Sequence, residues 1–142
     1  MDQRLAMVVA PPGYRFARQQ ASTERAALAA GDYAVHSADG SIGAAERKSM
    51  GDLTGSLSDG SFVFELGRLA TPYCAAVVVE EGYSKLMTYR HVPVGFLPDL
   101  LARVQVRYPE IPICFCENRA MAEEWTYRWL GAALIESMAE VR

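Results

Sequence analysis

The stretch GDYAVHSADGSIGAAERKSMGDL, residues 31–53, decides how the chain folds. DYAVHS and SIGAAERK are strand-like runs, and the ADG between them carries turn chemistry, so the segment reads as a β-hairpin. A two-residue loop of Asp39 and Gly40 would set Asp32 opposite Arg47 and scatter the charged groups. A three-residue loop, Ala38 to Gly40 with Gly40 left-handed, instead faces Ser37 to Ser41 and Asp32 to Glu46, with Lys48 on the same face. That second register is the expectation, because glycine at the third loop position is what a bulged turn asks for.

Outward from the hairpin, the elements follow from periodicity. RLAMVVA (4–10) suits a buried strand that Pro11, Pro12 and Gly13 stop. ASTERAALAA (21–30) has helical propensity and ends at Gly31. Ser49 followed by Asp52 has the form of a capping box, so a helix starts there with Leu53 and Leu57 on one face. Phe62, Leu66 and Leu69 mark a second helix. YCAAVVVE (73–80) and IPICFCE (111–117) read as buried strands separated by a helix through Leu97, Leu101 and Val104. Strand–helix alternation implies parallel pairing with helices on the sheet faces. The last helix, 118–140, carries one stripe of Met121, Trp125 and Trp129 and another of Tyr127, Leu130, Leu134 and Met138. So wide an apolar arc reads either as core alone or, the favoured reading, as a helix that serves its own sheet and a homodimer partner through part of the Trp125, Trp129, Leu130 and Leu134 surface.

Composition bounds the class. The 142 residues, 51% hydrophobic and with no linker or repeat, are expected to form one domain over 1–142 that buries roughly two thirds of its extended surface. Cys74, Cys114 and Cys116 lie in apolar runs without framework spacing and read as reduced core thiols rather than a secreted disulfide scaffold. With only two histidines to help, a zinc site on Cys114 and Cys116 is disfavoured. The longest apolar run, CAAVVV, is far short of the ~20 residues of a membrane helix, and no signal-peptide pattern is present, so a cytoplasmic protein is expected. Net charge −3 excludes the global basic surface of a strong non-specific DNA binder, leaving any nucleic-acid contact local or shared with a partner.

The charges of the hairpin carry chemistry. Two opposed carboxylates, Asp32 and Glu46, suit a hard divalent cation completed by water, which polarises a phosphate and lowers the pKa of bound water. Lys48 would orient or deprotonate that water or steady the charge that builds on the phosphate, and Asp52 would reach the metal through a water. Each also has a plainer reading: Asp32 as a turn-edge residue, ERKS as a solvated cluster on an edge strand, and Asp52 as a helix-capping acid.

Taken together, GDY…ERKSMGDL resembles the GD…ERKxxxD signature of the XPF-type structure-specific endonucleases, a branch of the PD-(D/E)XK nuclease superfamily. SLSDGSF resembles the family's following S-[IL]-x-[DS]-G-R-F segment, AAVVVEE its hydrophobic strand ending in acid, and IPICFCENRAMAEEWTYRWL its closing strand and helix. The likeness covers about residues 31–134. It implies an α/β, restriction-endonuclease-like fold, with a central mixed sheet, an N-terminal hairpin bearing the active site and helices on both faces. It implies Mg²⁺- or Mn²⁺-dependent cleavage of branched or flapped DNA, with Asp32 and Glu46 as metal ligands, Lys48 as catalytic lysine, Arg47 as an auxiliary that sets geometry or meets phosphate, and Asp52 as an accessory acid. Three departures stand out. No acid lies between Asp2 and Glu24, where the family has an acidic stretch after its first strand. Ser61 replaces the usual Arg. Helix-hairpin-helix modules do not fit in this length, so an additional DNA-binding domain or a partner protein is expected. A weakly active nuclease-fold scaffold and a restriction- or toxin-type nuclease are the competing readings.

Overall fold

The run from Cys74 to Val79 shows why the chain forms a two-sided sheet: its residues from Ala75 onward are all buried, leaving no face for water. The computed structural model describes residues 4–8, 22–26, 33–37, 40–69, 74–90 and 92–140. Six strands are described: β1 (Arg4–Val8), β2 (Ser22–Ala26), β3 (Tyr33–Ser37), β4 (Gly40–Lys48), β5 (Cys74–Val79) and β6 (Ile113–Phe115). They lie in the order β2-β1-β3-β4-β5-β6. β1 with β2 and β3 with β4 are antiparallel, whereas β1–β3, β4–β5 and β5–β6 are parallel, so the sheet is mixed as expected.

Alternate residues of β5 feed two cores. Ala75, Val77 and Val79, with Ala44 of β4, meet α1 (Met50–Asp59), α2 (Ser61–Leu69), α3 (Ser84–Met87) and α4 (Phe96–Arg107) through Leu53, Phe62, Leu66, Leu86, Leu97 and Leu101. On the opposite face, Val78, Ala45 and Cys116 pack with Ala122 and Trp125 of α5 (Arg119–Glu140), and Val35 and Ile42 pack with Leu130, Ala133 and Leu134. Helices therefore cover both faces. Trp125 and Trp129 stack with ring centroids 5.9 Å apart and lie against this second core. The short edge strand β6 is held by Gln105 of α4. Its amide donates to the carbonyls of Tyr108 (3.0 Å) and Ile111 (2.9 Å), and its Oε1 accepts from the Ile113 amide (2.9 Å).

Three expectations are corrected. Residues 22–26 are not helical but form β2, paired from Arg4↔Ala26 to Val8↔Ser22, because a full ladder on β1 supplies more than the modest helical propensity of this short segment. The hairpin tip is tighter than expected: Ser37 pairs with Gly40 and His36 with Ser41, so only Ala38 and Asp39 lie between paired residues. A bulge then leaves Ile42 as an extra residue on β4 and restores Val35↔Gly43, Ala34↔Ala44 and Tyr33↔Ala45. Last, Leu130 and Leu134 retain 0% and 5% of their exposure and belong to the chain's own core, so they are not part of a surface offered to a second subunit.

Gly43 sets how closely α5 approaches. A Cβ there would lie 3.1 Å from Cys74 Sγ and 3.4 Å from Ala133 Cβ. Gly43→Val is expected to lower stability by about 1–3 kcal/mol, read as a lower urea midpoint at unchanged m-value.

Burial pushes the Cys74 thiol up to about 11, and burial together with the neighbouring Cys114 thiol does the same for Cys116, from an ordinary value of 9.0. The unfolded chain thus releases these protons first. The stability they contribute is fully present below pH 9 and is lost as pH rises through 11. A melting temperature that falls across this window, and falls less in the Cys74→Ala/Cys116→Ala variant, is the expected result.

Candidate active site

Strand alternation divides the Glu46-Arg47-Lys48 triplet between the two faces of the sheet. Glu46 and Lys48 share the face of Ala44, towards α1 and α2, and sit beside Val77 and Val79 of β5. Arg47 takes the face of α5, where its guanidinium donates to the Tyr33 hydroxyl at 3.3 Å.

Lys48 is the last residue of β4, and α1 begins two residues later. Ser49 caps that helix: its Oγ accepts from the Asp52 amide at 3.1 Å, which confirms the helix start read from the sequence. Gly60, at φ 81°, ends α1 in the left-handed region that glycine tolerates, and α2 starts at once. Asp59 Oδ1 accepts the Ser61 amide at 2.8 Å. The hydroxyl and amide of Ser61, with a smaller contribution from the Lys48 charge, hold the Asp59 carboxyl below its ordinary value. This tight reversal brings α2 back over the end of β4. The Lys48 ammonium forms an ion pair with Glu65 of α2, donates to Ser56 Oγ of α1 at 2.9 Å, and lies 5.6 Å from the centre of the Phe62 ring. Its side chain is 8% exposed and that of Glu65 22%. A buried ammonium is tolerated because a carboxylate, a hydroxyl and a ring face replace its water.

Of the residues singled out from sequence, Glu46 and Lys48 are brought to one face, with Glu46 half-buried. Asp52 is exposed in the first turn of α1, one turn before Ser56 and so on the same helix stripe as the Lys48 contact. Asp32 lies outside the described residues. Its neighbour Tyr33 pairs with Ala45, the residue before Glu46. Among the described residues, no three His, Cys, Asp or Glu side chains gather as a metal-holding group.

Arg47 is bound into the scaffold. Its Nε lies 2.7 Å from Glu80 Oε1, a buried oxygen with no aligned hydrogen-bond donor, so the guanidinium's charge is what compensates it. Sequence reasoning did not find Glu65, Ser56 or the Arg47–Glu80 pair. The available signal for Glu65 was an acid one helical turn after the core residue Phe62.

Beyond the strand ends lies an open cleft of ≈ 340 Å³ whose lining includes Ser49, Glu80, Lys85, Glu117 and Arg119. An adjoining cleft of ≈ 520 Å³ is lined by Gly51, Thr88, Tyr89 and Arg90, and the two share Met50, Glu81 and Lys85. Both open at the carboxyl ends of the parallel strands, where ligands of open α/β sheets usually bind.

The family model for the ERCC4 domain matches residues 2–129. The chain belongs to that family. Its fold is shared with XPF from Aeropyrum pernix at a TM-score of 0.58 and 20% identity, over 98% of this chain and 68% of that one. No curated protein matches the chain. It is an XPF-type nuclease domain, and the resemblance read from GDY…ERKSMGDL is borne out. No helix among the described residues of the domain is long and apolar enough to cross a membrane.

Arg47→Ala is expected to lower stability by about 1–3 kcal/mol, since it strips the buried Glu80 oxygen of its charge partner. Thermal melting without DNA checks this. An Arg47 whose work is confined to phosphate contact would leave the melt unchanged.

Proposed function

We propose that this XPF-type domain is a divalent-metal-dependent DNA endonuclease that hydrolyses phosphodiester bonds in branched, flapped or single-strand/double-strand junction DNA. The observation that carries the reading is the convergence of Glu46 and the buried, triply contacted Lys48 on one face of β4 within an ERCC4-family chain. Asp32 and Glu46 are the proposed ligands of Mg²⁺ or Mn²⁺. The donor set fits, since both are carboxylates and hard cations take oxygen. Asp32 would face Glu46 if the Tyr33↔Ala45 register continues by one residue. When bound, the cation polarises the phosphate and acidifies a water.

The chain's own residues do the rest. The Lys48 ammonium offers an N–H to the attacking water or to the phosphate oxygen on which charge builds. Asp52, one turn along the stripe from Ser56, orients water beside the metal ligands. Arg47 sets geometry from the far face by fixing the end of β5. A homodimer through the outward side of α5, where Met121 is exposed, and an additional DNA-binding domain or partner protein would supply the grip that net charge −3 does not. An intracellular, nucleoid-associated location follows from the substrate. The absence of any acid between Asp2 and Glu24 favours one competing reading, a nuclease-fold scaffold with little or no activity.

Metal-site variants separate the two. Opposed carboxylates repel until a cation offsets the cost. Asp32→Asn and Glu46→Gln are therefore expected to melt no lower than wild type in EDTA, to lose the upward shift in melting that Mn²⁺ gives, and to lose cleavage of labelled flap and fork substrates. Lys48→Ala keeps the Mn²⁺ shift while cleavage drops by about 10²–10⁴-fold. Wild type that shows no Mn²⁺ shift and cuts these substrates no better than Lys48→Ala would leave the scaffold reading in its place.

A further inference from the structure

We propose that Glu65 is a positioning residue for the cleavage reaction, acting through Lys48 and assisted by Ser56. The inference rests on the nuclease reading above and deepens it. A lysine side chain has four rotatable bonds and a strongly hydrated head, so left to itself it would extend into water and offer no fixed N–H to a phosphate. Here the head is 5.6 Å from the Phe62 ring centre, and two of its three N–H groups have partners, the Glu65 carboxylate and Ser56 Oγ. The partners come from two helices, α1 and α2, whose relative placement is fixed by the turn at Gly60. Two directed contacts and a ring face determine where the third N–H points.

Glu65 does this without competing for a cation, because its carboxylate is committed to Lys48. A buried ammonium stripped of its counter-charge costs more than a broken surface pair, so without Glu65 the Lys48 head would leave its seat for solvent. Asp59 and Asp52 do not substitute, and Glu46 on the same face of β4 is the proposed metal ligand. Asp59 is spent on the Ser61 amide, and Asp52 is exposed at the helix start.

The experiment is a double-mutant cycle on Lys48 and Glu65, read as cleavage of a labelled flap substrate with Mn²⁺ and as the Mn²⁺-induced shift in melting. Glu65→Ala is expected to lower kcat by about 100-fold, the scale of a misplaced catalytic group, with KM within about twofold of wild type. Glu65→Gln, whose amide oxygen still accepts from Lys48 but supplies no counter-charge, should recover part of that loss and lie between Glu65→Ala and wild type. In the Lys48→Ala background, Glu65→Ala should cost nothing further, since a group that works only through Lys48 has nothing left to position. The Mn²⁺ shift should persist in all four proteins of the cycle and in Glu65→Gln. The outcomes that overturn the proposal differ from one another. Cleavage by Glu65→Ala at the wild-type rate removes the role, and an undiminished effect in the Lys48→Ala background shows that Glu65 acts independently. Loss of the Mn²⁺ shift on Glu65→Ala makes it a metal ligand instead. A wild type that cuts none of the substrates overturns the nuclease reading and this proposal with it.

Discussion

A single buried charge organises this half of the molecule. The Lys48 ammonium sits at 8% side-chain exposure at the end of β4, and such a charge is stable only where the surrounding chain replaces its water. That requirement reaches well beyond the residue. It needs Ser56 on α1 and Glu65 on α2, hence a helix that starts directly after the strand, a reversal within one residue at Gly60, and a second helix running back over the first. The apolar residues of those helices, Leu53, Leu57, Phe62 and Leu66, supply the driving force by closing over Ala44, Val77 and Val79. The polar contacts fix the register of a packing that hydrophobicity alone would leave less defined.

Elements whose stabilisation is local or strongly periodic were legible in the sequence. The buried β5, the Ser49-capped α1, the amphipathic α4 and the long α5 all lie where pattern and capping put them. What escaped is non-local. Residues 22–26 carry Glu, Arg and Ala, good helix formers, and become a strand because β1 offers a complete antiparallel ladder that no local rule detects. The Ile42 bulge escaped for a related reason. Turn chemistry at Ala38 to Gly40 speaks for the tip alone, whereas the register of Val35 to Tyr33 is imposed by the burial of Val35 and Ile42 against α5. Two departures, a shorter tip and one extra residue, cancel before Tyr33↔Ala45.

At the site, the triplet was legible as a motif, while its division of labour was not. Spacing identified Glu46, Arg47 and Lys48, and period two assigned Glu46 and Lys48 to one face. Glu65 lay beyond reach because its contact with Lys48 depends on how α2 is placed over the end of β4, and on α2 alone it is the one acid of a mostly apolar segment.

Arg47 shows how three consecutive residues couple the two faces of one sheet. The amide of Glu80 donates to the Lys48 carbonyl at 3.1 Å, while the Glu80 carboxylate pairs with Arg47 at 2.7 Å, so one residue beyond β5 holds both neighbours at the end of β4. Arg47 is tied in turn to Tyr33, and Tyr33 pairs with Ala45. A displacement of β4 at Lys48 would thus break a backbone bond, an ion pair and a hydroxyl contact together. The three do not act as independent weak restraints, since Glu80 takes part in two of them and Arg47 in two. A strand end held this way lets Lys48 carry a buried charge at a fixed point, which a frayed end could not do.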